Sequence, residues 1–166
     1  MWLFIASEAM LFGSLFCWYV VLRAGSTDWP GPVGAFPWLE TLLLVGASAA
    51  FGSKRSQLVV SNALGLTFVV ITVLGDAALV GKGMTPATGL MWACWFALTA
   101  VLAAHVLGGA IFTGWLAGPA FRMSGAGSRE PGPDRERWLA RIDATRRYWL
   151  FLDLVWLFIV AGFYFV

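Results

Sequence analysis

The sequence predicts an all-α integral membrane protein, a single bundle of five transmembrane helices, and three observations carry that prediction. The first is composition: of 166 residues, 60% are hydrophobic and only 12% are charged, with a mean hydropathy of +0.78. A soluble domain carries about 25% charged residues, so there is too little polar surface here to coat a water-soluble globule. The second is an aromatic load of 10 Trp and 13 Phe, which needs a large core or a bilayer to sit in. The third is arrangement, because the apolar residues fall into five runs separated by turn-rich or charged segments. Together they exclude a soluble enzyme, a secreted disulfide scaffold, a disordered tail and a nucleic-acid binder.

The first run covers residues 2–22 and closes at Arg23 and the turn-rich Gly25-Ser26-Thr27-Asp28-Trp29-Pro30-Gly31-Pro32. Its opening Met1-Trp2-Leu3-Phe4 lacks the basic start of a cleavable signal peptide, so none is expected. The second run, 37–51, ends at Gly52-Ser53-Lys54-Arg55 and is short against the roughly 20 apolar residues that cross a ~30 Å hydrocarbon core. The third, 58–80, stops at Gly81-Lys82-Gly83 and Pro86. The fourth, 89–117, is broken at Gly118-Pro119, and the fifth is 147–166. The sizeable polar piece is a loop over 118–146. Residues 124–133 are too rich in Gly, Ser and Pro to hold helix or strand. Asp134 can then cap a short interfacial helix with Trp138, Leu139 and Ile142 on one side and Arg137 and Arg141 nearby. The plain expectation for this loop is a linker with anchoring aromatics.

The charges fix the expected topology. Lys54, Arg55, Arg122, Arg129, Arg135, Arg137, Arg141, Arg146 and Arg147 fall on one side, nine against the two, Arg23 and Lys82, on the other. Positive-inside then puts the N-terminus in the cytoplasm and the C-terminus outside. An odd number of spans requires the two ends to lie opposite. Rows of small residues, Ala100 with Ala104 and Gly108, Ala9 with Gly13, and Gly46 with Ala50, are expected to let helices approach closely. Cys17 and Cys94 lie in apolar runs without metal-ligand spacing and read as small buried hydrophobes.

Five ionisable residues fall within or at the ends of the runs: Glu8, Glu40, Asp76, His105 and Asp153. Each costs about 2.5–3.5 kcal/mol or more at a helix centre, so each is expected to face protein or water rather than lipid. Glu40 and Asp76 are close to the outer face. Glu8 and Asp153 lie about 10 Å in from the cytoplasmic side at ~1.5 Å per residue, with His105 near the middle. The pair to follow is Glu8 with Asp153, reached by His105. For Glu8 the bland alternative is an interhelical hydrogen bond to Ser, Thr, Trp or His. For Asp153 it is Arg146, seven residues earlier, snorkelling along the same face. A single His with no HxH, no HExxH and no Cys pair offers no haem, copper or other metal site, and no catalytic residue is assigned.

Particular segments go further. Phe4-Ile5-Ala6-Ser7-Glu8-Ala9-Met10-Leu11-Phe12 resembles the Ser-Glu-containing helix of subunit III of the haem–copper cytochrome c and quinol oxidases. Pro37-Trp38-Leu39-Glu40-Thr41-Leu42-Leu43-Leu44 resembles that family's next helix. Tyr148-Trp149-Leu150-Phe151-Leu152-Asp153-Leu154-Val155-Trp156-Leu157-Phe158 is similar to its terminal Tyr-Trp-His-Phe-x-Asp-x-Val-Trp-x-Phe signature, and residues 99–111, with His105, match its penultimate helix. The order agrees over essentially the whole chain. Many members have seven helices, and five matches the short bacterial form. Leu102 and Leu150 stand where the family has histidines, which removes any role those imidazoles carry. Glu8, His105, Asp153 and Trp156 match, and Trp149 and Trp156 are expected to serve packing.

The resemblance implies a subunit of the aerobic respiratory electron transport chain that binds no haem or copper itself. Those groups belong to partner subunits. The chain would dock on subunit I and other oxidase subunits, hold phospholipids, stabilise subunit I, and support proton uptake and lipid or oxygen access. The electron donor, cytochrome c or quinol, and the choice between an oxidase and a nitric oxide reductase assembly are decided on other subunits. A different class, an intramembrane serine protease of the rhomboid kind, would use Ser48 of Gly46-Ala47-Ser48 with His105 of Ala104-His105-Val106-Leu107-Gly108-Gly109. Ala49 in place of a second Gly, five spans instead of six, and the unexplained Glu8 and terminal signatures argue against it. A small proton-coupled transporter would show internal repeats and broken helices, and neither is present in the sequence.

Overall fold

A computed structural model describes residues 2–27, 29–31, 34–125 and 133–165, with the backbone alone at 2, 119–125 and 133–134. Most of the expected flexible stretch 124–133 and the side chain of Asp134 as a helix cap lie outside the described residues. Five helices follow one another: α1 (Trp2–Ala24), α2 (Trp38–Ala50), α3 (Arg55–Gly81), α4 (Leu90–Gly125) and α5 (Pro133–Tyr164). Four of them are long and apolar enough to cross a membrane, while α2 is a shorter apolar helix of 13 residues, about 20 Å at 1.5 Å per residue.

The helices alternate in direction. Phe4 stands 5.8 Å from Tyr148 at one end of the bundle and Tyr19 stands 4.6 Å from Phe163 at the other, so α1 and α5 run parallel. Trp95, at the start of α4, lies 5.2 Å from Phe163 at the end of α5, so α4 opposes both. The α2–α3 turn is held by the Lys54 N–H donating to Gln57 Oε1 at 3.2 Å, one arm of a capping box. The start of α1 and the finish of α5 thus lie at opposite ends of the bundle, as an odd count of spans requires. We refer to these as the Glu8 end and the Arg23 end.

Two expectations about boundaries are corrected. The stretch 118–146 is not a loop: α4 continues through Gly118-Pro119 to Gly125, and α5 starts at Pro133 and runs unbroken into the last span. Pro119 has no N–H, so the Trp115 carbonyl loses its backbone donor, but a long apolar helix tolerates one such defect. Proline at the first helical position of α5 is favourable, since that N–H has no helical acceptor in any case. The extension of α5 lies against the end of the fourth run, with the Arg141 guanidinium 5.3 Å from the centre of the Trp115 ring.

The core is aromatic. Trp149, Trp156, Tyr19 and Phe68 are the largest fully buried side chains. Gly65 of α3 lies against the Trp149 ring so closely that a methyl group there would collide with it. Gly109 of α4 lies on the opposite flank, where an added Cβ would sit 3.1 Å from Tyr148. The small-residue rows fare unevenly. Gly46 does face α3, with Leu64 within 3.6 Å of an added Cβ. Ala100, Ala104 and Gly108, by contrast, are exposed on this chain, as are Ala9 and Gly13. The inward face of α4 is set by Leu98, Leu102, Val106, Ala110 and Thr113, and the row from Ala100 lies about 200° around the helix from Leu98 at 100° per residue. Cys94 is fully buried as expected, but Cys17 is exposed on α1.

Candidate functional site

Glu8 and His105 meet between α1 and α4. His105 Nε2 is 2.7 Å from Glu8 Oε2, and the side chains are 19% and 15% exposed. The other imidazole nitrogen, Nδ1, is 2.7 Å from the Val101 carbonyl one turn back on α4. A carbonyl oxygen only accepts, so Nδ1 carries a proton and donates it. That leaves one proton for the short Nε2–Oε2 contact. Held on the carboxyl it gives two neutral groups, and held on the ring it gives an ion pair. The pair is net neutral either way, which is how a carboxyl at this depth avoids standing as an isolated charge.

Neighbouring rings fix the pair in place. Phe12 stands edge-on to the imidazole at 5.0 Å, and Phe151 is 6.1 Å from Phe12. The Tyr148 hydroxyl donates to the His105 carbonyl at 3.1 Å, joining α5 to the same turn of α4. Beside this cluster is a cavity of about 330 Å³ lined by Phe12, Phe16, Leu98, Phe151 and Phe158, apolar almost throughout.

The expected partnership of Glu8 with Asp153 does not form. Asp153 sits on the face of α5 that meets α2, where its neighbour is Ser48. The two do not reach hydrogen-bonding geometry, and Ser48 Oγ and Asp153 Oδ1 have no hydrogen-bond partner among the described residues. Arg146 does not pair with it. The physical reason is helix phase: α1 is joined to α4 at Glu8, whereas residue 153 is turned toward α2. The Ser48–His105 dyad is excluded on the same geometry, because both imidazole nitrogens are committed elsewhere.

Tryptophan hydrogen bonds knit the bundle, and sequence reasoning missed their partners. Trp149 Nε1 donates to Thr113 Oγ1 of α4 at 3.1 Å, and that hydroxyl donates to the Gly109 carbonyl at 2.8 Å. Trp156 Nε1 donates to Thr41 Oγ1 of α2 at 2.9 Å, and Thr41 donates to the Pro37 carbonyl at 2.8 Å. In both, the threonine spends its proton one turn back and keeps lone pairs for an indole on α5. The expected packing role of Trp149 and Trp156 therefore includes a polar anchor each. Asp76 accepts from Trp95 Nε1 and from Thr99 Oγ1, both at 3.0 Å, tying α3 to α4. At the Arg23 end, the Tyr19 hydroxyl donates to the Gly162 carbonyl, and Arg23 Nη1 donates to the same carbonyl at 2.9 Å and to Tyr19 at 2.7 Å. A threonine one helical turn from a carbonyl, opposite a tryptophan, is the signal that could have revealed the first two links.

Among the described residues no three His, Cys, Asp or Glu side chains come together, and the imidazole of His105 has no nitrogen left for iron or copper. What the arrangement can do is hold one proton between two helices and lock α5 into the bundle.

No family model matches the chain. Full-length relatives do. The chain is 27% identical to a probable quinol oxidase subunit 3 from Staphylococcus haemolyticus over 183 residues, covering 99% of this chain and 86% of that one. It is 27% identical to the quinol oxidase subunit 3 of Bacillus subtilis over 179 residues, 98% of this chain and 83% of that one. A probable quinol oxidase subunit 3 from Staphylococcus aureus is 25% identical over 183 residues, at 99% and 86%.

Proposed function

Starting from a helical membrane chain that is similar from end to end to subunit 3 of quinol oxidases, we propose that this protein is the subunit III of a haem–copper terminal oxidase, with quinol as the reductant of the assembly. It carries no redox centre. It docks on subunit I, stabilises it, and supports proton uptake at the cytoplasmic side, the Glu8 end in the orientation that positive-inside favours. Phospholipids complete its surface, and haem and copper belong to the partner subunits.

The observation that carries the proton role is the one-proton contact of Glu8 with His105. An ordinary interhelical hydrogen bond in a membrane contributes only about 0.6 kcal/mol and at most about 1.7. A packing role alone would be met by a neutral amide or hydroxyl at lower desolvation cost, so the ionisable pair is explained by use of its proton. The apolar cavity beside it is suited to lipid tails or to dioxygen.

Co-purification in mild detergent tests the assembly. The full chain is expected to bring down larger polypeptides with a haem absorption spectrum, identified by mass spectrometry. Recovery of the chain alone, or with partners lacking haem, would sink the reading.

A further inference from the structure

Ionisable groups in the spans are answered unevenly. Glu8 finds His105, and Asp76 finds Trp95 and Thr99. Asp153 finds no such donor among the described residues. Its Oδ1 is shut in against α2 beside Ser48 without a hydrogen-bond partner, while Oδ2 is not enclosed and the residue is partly exposed. The helix sets where that exposure points. Leu150 and Leu157, three positions before and four after, share its face and are 54% and 51% exposed, and Val45, one turn from Ser48 on α2, is 42% exposed. Asp153 therefore stands about 10 Å in from the Glu8 end, at the rim of an α2–α5 surface that this chain leaves open. A carboxyl at that depth faces protein or water and not acyl chains.

We infer that a transmembrane helix of a different chain lies on this α2–α5 face and gives a lysine or arginine to Asp153. Charge complementarity selects the occupant. A hydroxyl or amide would leave the carboxylate charge unneutralised away from water. A basic side chain packs its stem on apolar neighbours such as Leu150 and brings its head to Oδ2. A lipid headgroup stays at the interface, about 10 Å from the carboxyl. A two-fold-related second copy brings another carboxyl, with its Arg146 two turns away at the height from which this chain's own Arg146 does not reach. The inference rests on the reading of this chain as one subunit among several, and not on which reaction the assembly performs.

The test uses native membranes holding the complete assembly. The photoreactive residue p-benzoylphenylalanine replaces Leu157 or Val45 in turn, and adducts are mapped by mass spectrometry. The expected adduct joins either position to one transmembrane segment of another chain that carries a basic residue within two turns of the attachment point. The near-isosteric Asp153→Asn, with a melting temperature near that of the parent, is expected to lower the adduct yield roughly tenfold, the loss of about one charge-assisted hydrogen bond. Asp153→Glu is expected to restore most of it. Adducts with lipid alone, with a second copy, or with a segment lacking a basic residue overturn the inference, and so does a yield unchanged by Asp153→Asn. Co-purified haem without the adduct sinks the inference and leaves the proposed function standing. The adduct in an assembly without haem does the reverse.

Discussion

Trp149 occupies the space that a side chain at position 65 would need. The ring lies directly on the Gly65 backbone of α3 while its N–H reaches across to Thr113 of α4. One residue thus ties three helices together, and the absence of a β-carbon at position 65 leaves the room in which the indole bridges α5 to α3.

Gly65→Ala is therefore expected to destabilise the bundle by about 1–3 kcal/mol, the range for overpacking a filled core. The added methyl meets a fully buried indole that has no other place to go. Thermal unfolding in detergent checks this, with Gly75→Ala on the same helix, where nothing lies within 4 Å, as the control that should unfold close to the parent.

Thr113→Val removes the acceptor and leaves an indole N–H buried without a partner. The expected loss is about 0.6–1.7 kcal/mol, the scale of interhelical hydrogen bonds in membranes. Trp149→Phe should cost more, since it also opens a cavity. A double-mutant cycle reads their coupling, and additive effects would mean that the hydrogen bond contributes nothing.

Glu8→Gln keeps a donor for His105 Nε2 but cannot exchange the shared proton. Assembly is expected to persist, with haem content and subunit ratios as in the parent, while turnover of the purified complex declines over repeated cycles. Undiminished turnover would reduce Glu8 to a packing residue.

Topology has its own check. In a background with Cys17 and Cys94 replaced by Ala, a cysteine at Lys54 should react with membrane-impermeant reagent only in inverted vesicles. One at Lys82 should react in intact cells. Lys54 begins α3 and Lys82 caps its end, so labelling of both from one side would mean that α3 does not span.

The fold was legible because length and composition are written along the chain: five apolar runs became five helices, and Glu8 found one of the hydrogen-bonded partners its depth demanded. Rotation was not legible. Helices apolar all round give no stripe to mark an inward face, so Glu8 was matched to Asp153 by depth although the two point to different neighbours. The same lack of a stripe hid that Leu98 and Leu102 form the inward face of α4. The extension of α4 past Pro119 was hidden for another reason, because a proline marks a probable stop only when the helix on either side is weak. The indole–threonine links depend on which helices adjoin, and adjacency is a property of the assembled bundle.

The brevity of α2 has a consequence for the surrounding bilayer. A 13-residue helix is about 10 Å shorter than a ~30 Å hydrocarbon slab, and just before it the Ala35 carbonyl accepts from the Tyr164 hydroxyl. A helix this short is accommodated by a locally thinner bilayer or by neighbours that cover it. Acyl chains of modest length relieve the deformation and longer ones worsen it, so the protein carries within one short helix a preference for where in a patchwork membrane it will reside.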